Sequence, residues 1–153
     1  MVALRCRQIV LLYGAQIGDV PNIINISARF DMKAGIRFTD EQKEELARNG
    51  KFLLPAGKKS FLVTQASVDE RLRTDMSIVR DLKNTLRVLT IHGSGDIVIP
   101  YENGVSFRVV IPESIHTFVT VPDANHSYAD HRPELFEALS TWIGKHSHAI
   151  APT

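Results

Sequence analysis

LRVLTIHGSGDIVIP, residues 86–100, decides how the chain is read. Leu86-Arg87-Val88-Leu89-Thr90-Ile91 is rich in Leu, Val, Thr and Ile, which suits a strand buried on both faces, as in a parallel sheet. His92-Gly93-Ser94-Gly95 then turns the chain out of that strand, because glycine tolerates backbone angles that other residues avoid. Asp96 follows at once, ahead of Ile97-Val98-Ile99-Pro100. An acid just past the carboxyl end of a parallel strand sits on the rim where α/β sheets place ligands and chemistry. About thirty residues later, after the strand-like run IHTFVTV (residues 115–121), comes Ala124-Asn125-His126-Ser127-Tyr128. Asp96 by itself reads as a loop aspartate bonding its own backbone, and His126 by itself as a satisfied loop histidine. As a pair they read differently, since an acid that accepts from the Nδ1–H of a histidine fixes its tautomer and stabilises the imidazolium.

Upstream, Gln8 to Gln16 encloses IVLLYGA, a core helix that Gly18-Asp19-Val20-Pro21 ends. Ile23-Ile24-Asn25-Ile26-Ser27 is a short β-branched strand. Past Arg29-Phe30-Asp31 the charge density rises. Thr39-Asp40-Glu41-Gln42 is a capping box opening a helix that stops at Asn49-Gly50. Phe52-Leu53-Leu54 and Phe61-Leu62-Val63 flank Pro55-Ala56-Gly57-Lys58-Lys59 as a hairpin. Ser67-Val68-Asp69-Glu70 reads as a second capping box, with Val68, Leu72, Met76, Val79 and Leu82 forming one helical stripe behind it. Helix, hairpin, helix between two parallel strands has the form of a lid, or of a crossover with an ornamented loop. Beyond Asp96, residues 100–111 read as a short helix rich in weak helix formers. Pro133 starts a last helix with Leu135, Phe136, Leu139, Trp142 and Ile143 on a broad apolar face, and residues 149–153 read as a frayed tail.

The 153 residues allow one domain, or one with a small appendage, and 44% hydrophobic content supports a real core. A formal net charge of +1 without basic runs gives no support to a nucleic-acid or anionic-membrane partner. No apolar run approaches a membrane span, and residues 1–7 have basic residues without the apolar core of a signal peptide. The single cysteine, Cys6, excludes a disulfide framework or a cysteine zinc site and is compatible with a reducing, cytoplasmic location. No G-x-G-x-x-G or P-loop supports a nucleotide cofactor. His116, His126 and His131 lack zincin spacing and a third ligand, so neither a metal nor any other cofactor is expected.

The sequence resembles the α/β-hydrolase superfamily, in its serine aminopeptidase and esterase–lipase group. There a strand leads to N-I-S-G-R-F-D, a lid follows, then V-L-x-I-H-G-x-x-D-x-x-V-P, then G-A-x-H-x-Y. This chain has Asn25-Ile26-Ser27-Ala28-Arg29-Phe30-Asp31, then Val88-Leu89-Thr90-Ile91-His92-Gly93-Ser94-Gly95-Asp96 with Pro100 close behind, then Ala124-Asn125-His126-Ser127-Tyr128. The likeness covers residues 9–143. It implies a partial α/β-hydrolase fold: a three-stranded, mostly parallel sheet with flanking helices and a helix–hairpin–helix lid insertion. Residues 1–30 and 86–153 would be core and 31–85 the lid, in one domain overall. Acid before histidine is the chain order of that family's triad, so the resemblance makes Asp96 and His126 catalytic.

The family's nucleophile elbow is not in this sequence. Aligned on Ile9-Val10-Leu11-Leu12-Tyr13-Gly14, the serine position falls near Leu4, inside MVALRCRQ. Cys6 would align with an elbow glycine, and Arg5 and Arg7 would lower its pKa, but it lacks the small neighbours a sharp elbow needs. Ser27 reads as a strand-end residue and Ser94 as a loop residue. The expectation is a catalytically incomplete chain whose full-length form is a serine-type hydrolase of a small-molecule ester, thioester or amide. The alternative is a non-catalytic remnant that binds a small apolar ligand or a partner chain. In the family's strand order, strand 23–27 pairs on its far side with the nucleophile strand. With that strand missing, the edge is uncharged and β-branched, so the chain is expected to be marginally folded and to self-associate through 23–27.

Overall fold

The computed structural model describes residues 8–146. They fall into two compact units, Asp31–Asp75 and residues 8–30 with 76–146.

The larger unit holds a three-stranded sheet of β1 (Asn22–Ile26), β4 (Arg87–Gly93) and β5 (His116–Val121), in the order β1-β4-β5 with both pairings parallel. The sheet expected to be mostly parallel is parallel throughout. Six consecutive residues of β4, Val88 to Gly93, are buried, as a central strand covered on both faces requires. On one face Leu89, Ile91, Val121, Ala124 and Tyr128 form a core with Trp142 of α5 (Arg132–His146), flanked by Leu135 and Leu139. Phe136 and Ile143, assigned by sequence to the same apolar face, are 67% and 45% exposed. α5 covers one sheet face only, and these two side chains project from its sides.

On the other face lie α1 (Ile9–Gln16), a 3-10 turn (Met76–Asp81) and α4 (Glu102–Val110). The weak helix formers of α4 do not prevent it, because Gly104 packs on the His92 ring and Phe107 is fully buried. α1 departs from expectation. Only Leu11 and Gly14 are buried, Gly14 against Ile23 of β1, while Ile9, Val10 and Tyr13 are exposed. Its sequence is apolar on every side, but the described sheet ends at β1 and offers it one face.

The smaller unit runs α2 (Asp40–Asn49), the hairpin β2 (Lys51–Ala56) and β3 (Lys59–Thr64), then α3 (Gln65–Arg73). Thr39 and Gln42 form the expected capping box, and Gly50 closes α2 with φ 68°. Leu46, Phe52 and Val63 make a small core with Phe38, Leu54 and Val68. The second capping box is displaced. Thr64 is the N-cap and Ser67 its third-position partner, because β3 ends at Thr64 and the helix begins where the hairpin lets go. The stripe from Val68 to Leu82 is not one helix. α3 stops at Thr74, which is extended and bonds back to the Glu70 carbonyl through Oγ1. Val68 belongs to the small core, and Met76, Val79 and Leu82 are buried in the larger unit. Among the described residues, no helix is long and apolar enough to cross a membrane.

Candidate active site

β4 and β5 run parallel, so the loops after them leave the same edge of the sheet. These loops are joined backbone to backbone. Ser94 N–H donates to the Val121 carbonyl at 3.0 Å and Gly95 N–H to the Ala124 carbonyl at 3.1 Å. Asp123 N–H donates to Ser94 Oγ at 2.7 Å. The glycines are required sterically. A Cβ on Gly93 would collide with the Ala124 carbonyl, and one on Gly95 would lie 2.7 Å from the Asp123 carbonyl oxygen.

This closeness brings Asp96 and His126 together. Asp96 Oδ2 lies 2.7 Å from His126 Nδ1. Asp96 Oδ1 accepts Val98 N–H at 2.9 Å and Ile99 N–H at 2.8 Å. Asp96 thus bonds its own loop with one oxygen and meets the histidine with the other. Its side chain is fully buried, whereas that of His126 is 25% exposed. A carboxylate only accepts, so in the neutral imidazole the proton sits on Nδ1, which leaves the lone pair on Nε2.

His92, which the sequence pattern does not single out, lies beneath the acid. Its buried ring places Nε2 2.9 Å from the Ile99 carbonyl and 3.7 Å from Asp96 Oδ2. A carbonyl accepts, so Nε2 carries the proton here, and the bond pins the far end of the acid loop. The H-G-x-x-D spacing was the signal that could have found it. A second feature without a local signature is a buried polar track across the three strands. Asn25 Nδ2 lies 3.4 Å from Thr90 Oγ1, which lies 2.9 Å from His116 Nε2. Burial, aided by the positive charge of Arg108, pushes the His116 imidazole down to about 4.

The candidate nucleophiles divide clearly. Ser27 is fully buried, with Oγ 2.8 Å from the Tyr128 hydroxyl. Ser94 is exposed and accepts from Asp123. Cys6, Leu4, Arg5 and Arg7 lie outside the described residues, as does the tail 149–153. Among the described residues, no group of three or more His, Cys, Asp or Glu side chains is placed to hold a metal ion.

No family model and no curated protein matches the sequence. Solved structures do resemble the chain. An esterase from Butyrivibrio proteoclasticus, Est1E with ferulic acid bound, is 21% identical with a TM-score of 0.70, over 93% of this chain and 56% of its own. A monoacylglycerol lipase from Paleococcus ferrophilus is 14% identical with a TM-score of 0.65, over 92% of this chain and 65% of its own. Mouse alpha/beta hydrolase domain-containing protein 10 is 14% identical with a TM-score of 0.60, over 91% of this chain and 58% of its own. This chain thus spans between about half and two-thirds of their lengths. By its parallel β1-β4-β5 sheet, its flanking helices and this likeness, the chain carries part of the α/β-hydrolase fold.

Proposed function

We propose that this chain supplies the acid and histidine of a serine-type hydrolase acting on a small-molecule ester, thioester or amide. The observation behind the proposal is the 2.7 Å contact between buried Asp96 and partly exposed His126 on one rim of the sheet. Asp96 orients the ring and leaves Nε2 as the base. Nε2 takes the hydroxyl proton as a serine attacks the substrate carbonyl, then returns it to the leaving group as the tetrahedral intermediate collapses. Asp96 stabilises the imidazolium between these two steps. No serine of the sequence lies in a G-x-S-x-G context, so in this reading the serine and its oxyanion hole are supplied by a segment other than these 153 residues. The unit Asp31–Asp75 is the lid in this reading. Its support is connectivity, since it is inserted between two parallel strands and leaves the sheet past the carboxyl end of β1.

The test uses a fluorophosphonate probe and a p-nitrophenyl ester. The chain alone should neither be labelled nor turn over the ester above a histidine-only background. The same reading frame expressed with its upstream coding sequence should show one labelled serine in a G-x-S-x-G elbow. Labelling should disappear in His126→Ala, and Asp96→Asn should lose about 10⁴ in kcat, the scale known for a triad acid. Stoichiometric labelling of the chain alone, or an extended product with no reactive serine, would overturn the proposal.

A second reading, a non-catalytic module that takes a partner chain, draws on different observations. Ile9, Val10 and Tyr13 expose an apolar face on α1, and β1 is an edge strand among the described residues. Its small-ligand form draws on a cavity of about 180 Å³ in the smaller unit, lined by Ile36, Phe38, Leu54, Val63 and Val68.

A further inference from the structure

We infer that Tyr128 and Ser27 are positioning residues for His126, acting through a buried hydroxyl pair that fixes the histidine loop to the ends of β1 and β4. The inference rests on the function proposed above.

The pair joins residues far apart in sequence. Ser27 Oγ and the Tyr128 hydroxyl are 2.8 Å apart and buried. The Tyr128 hydroxyl also donates to the Ile91 carbonyl at 3.4 Å, and the same carbonyl accepts Ser27 N–H at 2.9 Å. A carbonyl can only accept, so the order of protons follows. Tyr128 donates to Ile91, and Ser27 donates to Tyr128. Groups from the residue after β1, from β4 and from the histidine loop thereby close a small hydrogen-bonded ring toward the carboxyl edge of the sheet.

The backbone agrees. Ser27 has φ 49° and Tyr128 φ 54°, in the left-handed region that side-chain-bearing residues enter at a cost. Of the three described non-glycine residues with positive φ, two are the members of this pair, and the third, Asp123, lies where the loops after β4 and β5 join. Such outliers persist only where the surrounding contacts over-determine them.

His126 sits between two anchors. On one side Ala124 is buried, its backbone against Gly93 and Gly95. On the other, Tyr128 is buried, with its N–H donating to the Asn125 carbonyl at 3.0 Å to close the turn. Between them Asn125 and Ser127 are exposed, while the His126 ring is partly buried and held through Nδ1 by Asp96. The phenol sets the depth of this turn through Ser27 and Ile91. Ser27 is thus assigned a task other than attack.

The experiment is NMR on the unmodified chain, Tyr128→Phe and Ser27→Ala. Tyr128→Phe keeps the ring and removes one hydroxyl, and Ser27→Ala removes the other. The readout is the His126 Nδ1 proton and the ring nitrogen shifts that report its tautomer. The unmodified chain should show one slowly exchanging low-field proton and a single tautomer. Both variants should exchange that proton at least ten times faster and show mixed tautomers, while amide protection in β4 is retained. Val79→Ala, a cavity variant on the opposite sheet face, serves as a control that lowers stability without touching the loop and should leave the proton unchanged. Persistence of the slow proton in both hydroxyl variants would overturn this inference alone. Its absence from the unmodified chain would overturn the proposed site as well.

Discussion

Gly95→Ala isolates what holds the acid and histidine loops together. The added Cβ would stand 2.7 Å from the Asp123 carbonyl oxygen and 3.0 Å from its carbon. Both are backbone atoms, so no side chain can swing aside, and the loops must part by several tenths of an ångström. The Gly95 N–H to Ala124 carbonyl bond, 3.1 Å long, lies across the same seam and is strained or lost. Overpacking of this kind costs about 1–3 kcal/mol, and one hydrogen bond roughly 1 kcal/mol more. The expected loss is about 2–4 kcal/mol in urea unfolding followed by circular dichroism. The low-field His126 Nδ1 proton should weaken, because Asp96 and His126 lie on the two separating loops. Gly144→Ala is the counter-experiment. Nothing lies within 4 Å of a Cβ there, and the residue is inside α5. Alanine at that site should stabilise by up to about 1 kcal/mol through helix propensity. If Gly95→Ala unfolds within about 0.5 kcal/mol of the unmodified chain, by the usual scale for neutral surface changes, and keeps the His126 proton, the steric account of the seam is wrong.

The folded His116 imidazole titrates at about 4, below its ordinary 6.5. The unfolded chain therefore binds that proton first, and stability present in full above pH 6.5 is lost as pH falls toward 4, at about 1.4 kcal/mol per pH unit and about 3 kcal/mol in all. His116→Gln should flatten this slope between about pH 6.5 and 5, and an unchanged slope would remove His116 from the account. β1 pairs with β4 alone among the described residues, and Pro21 accepts from Arg87 while Ser27 donates to Ile91. Alternation then directs the N–H groups of Asn22, Ile24 and Ile26 to the open side. Light scattering should show concentration-dependent association that Asn22→Pro reduces, and a monomer at every concentration would argue against association through this edge. Thr39→Ala removes the capping bond to Gln42 N–H and should cost about 1 kcal/mol, read as faster amide exchange in α2.

What the sequence could reveal was local or periodic. Asp96 and His126 stood out because each follows a strand, Asp96 after a turn that Gly93 and Gly95 make. α2 was legible from Thr39, Gln42 and Gly50, whose reasons lie within a dozen residues. The start of α3 was misplaced because Ser67-Val68-Asp69-Glu70 has the stronger local pattern, yet the end of the hairpin selects Thr64. The stripe from Val68 to Leu82 kept its period across Thr74, and periodicity cannot report that two separate cores divide it. α1 read as a core helix because its composition is apolar all round. How many of its sides find a partner depends on neighbouring strands, not on its own residues. Ser27 and Tyr128 are 101 positions apart, and no pattern in a single sequence links them.

The smaller unit also bears on how the sheet assembles. Pairing Asn25 with Thr90 closes a loop across 65 positions, and loop closure costs entropy that grows with the logarithm of length. Arg71 shortens that path. Its guanidinium donates to the Met32 carbonyl at 2.8 Å and the Ala34 carbonyl at 2.7 Å, tying the last helix of the insertion to its first residues. Once the insertion has formed, the free chain between β1 and β4 is less than half as long, which lowers the closure term by about 1 kcal/mol. The insertion has a hairpin and two helices, all built from near neighbours, and such local contacts form faster than parallel strand pairs. On this account the insertion forms ahead of the sheet, and Arg71→Ala should slow folding by restoring part of the closure cost, a change that stopped-flow refolding would read.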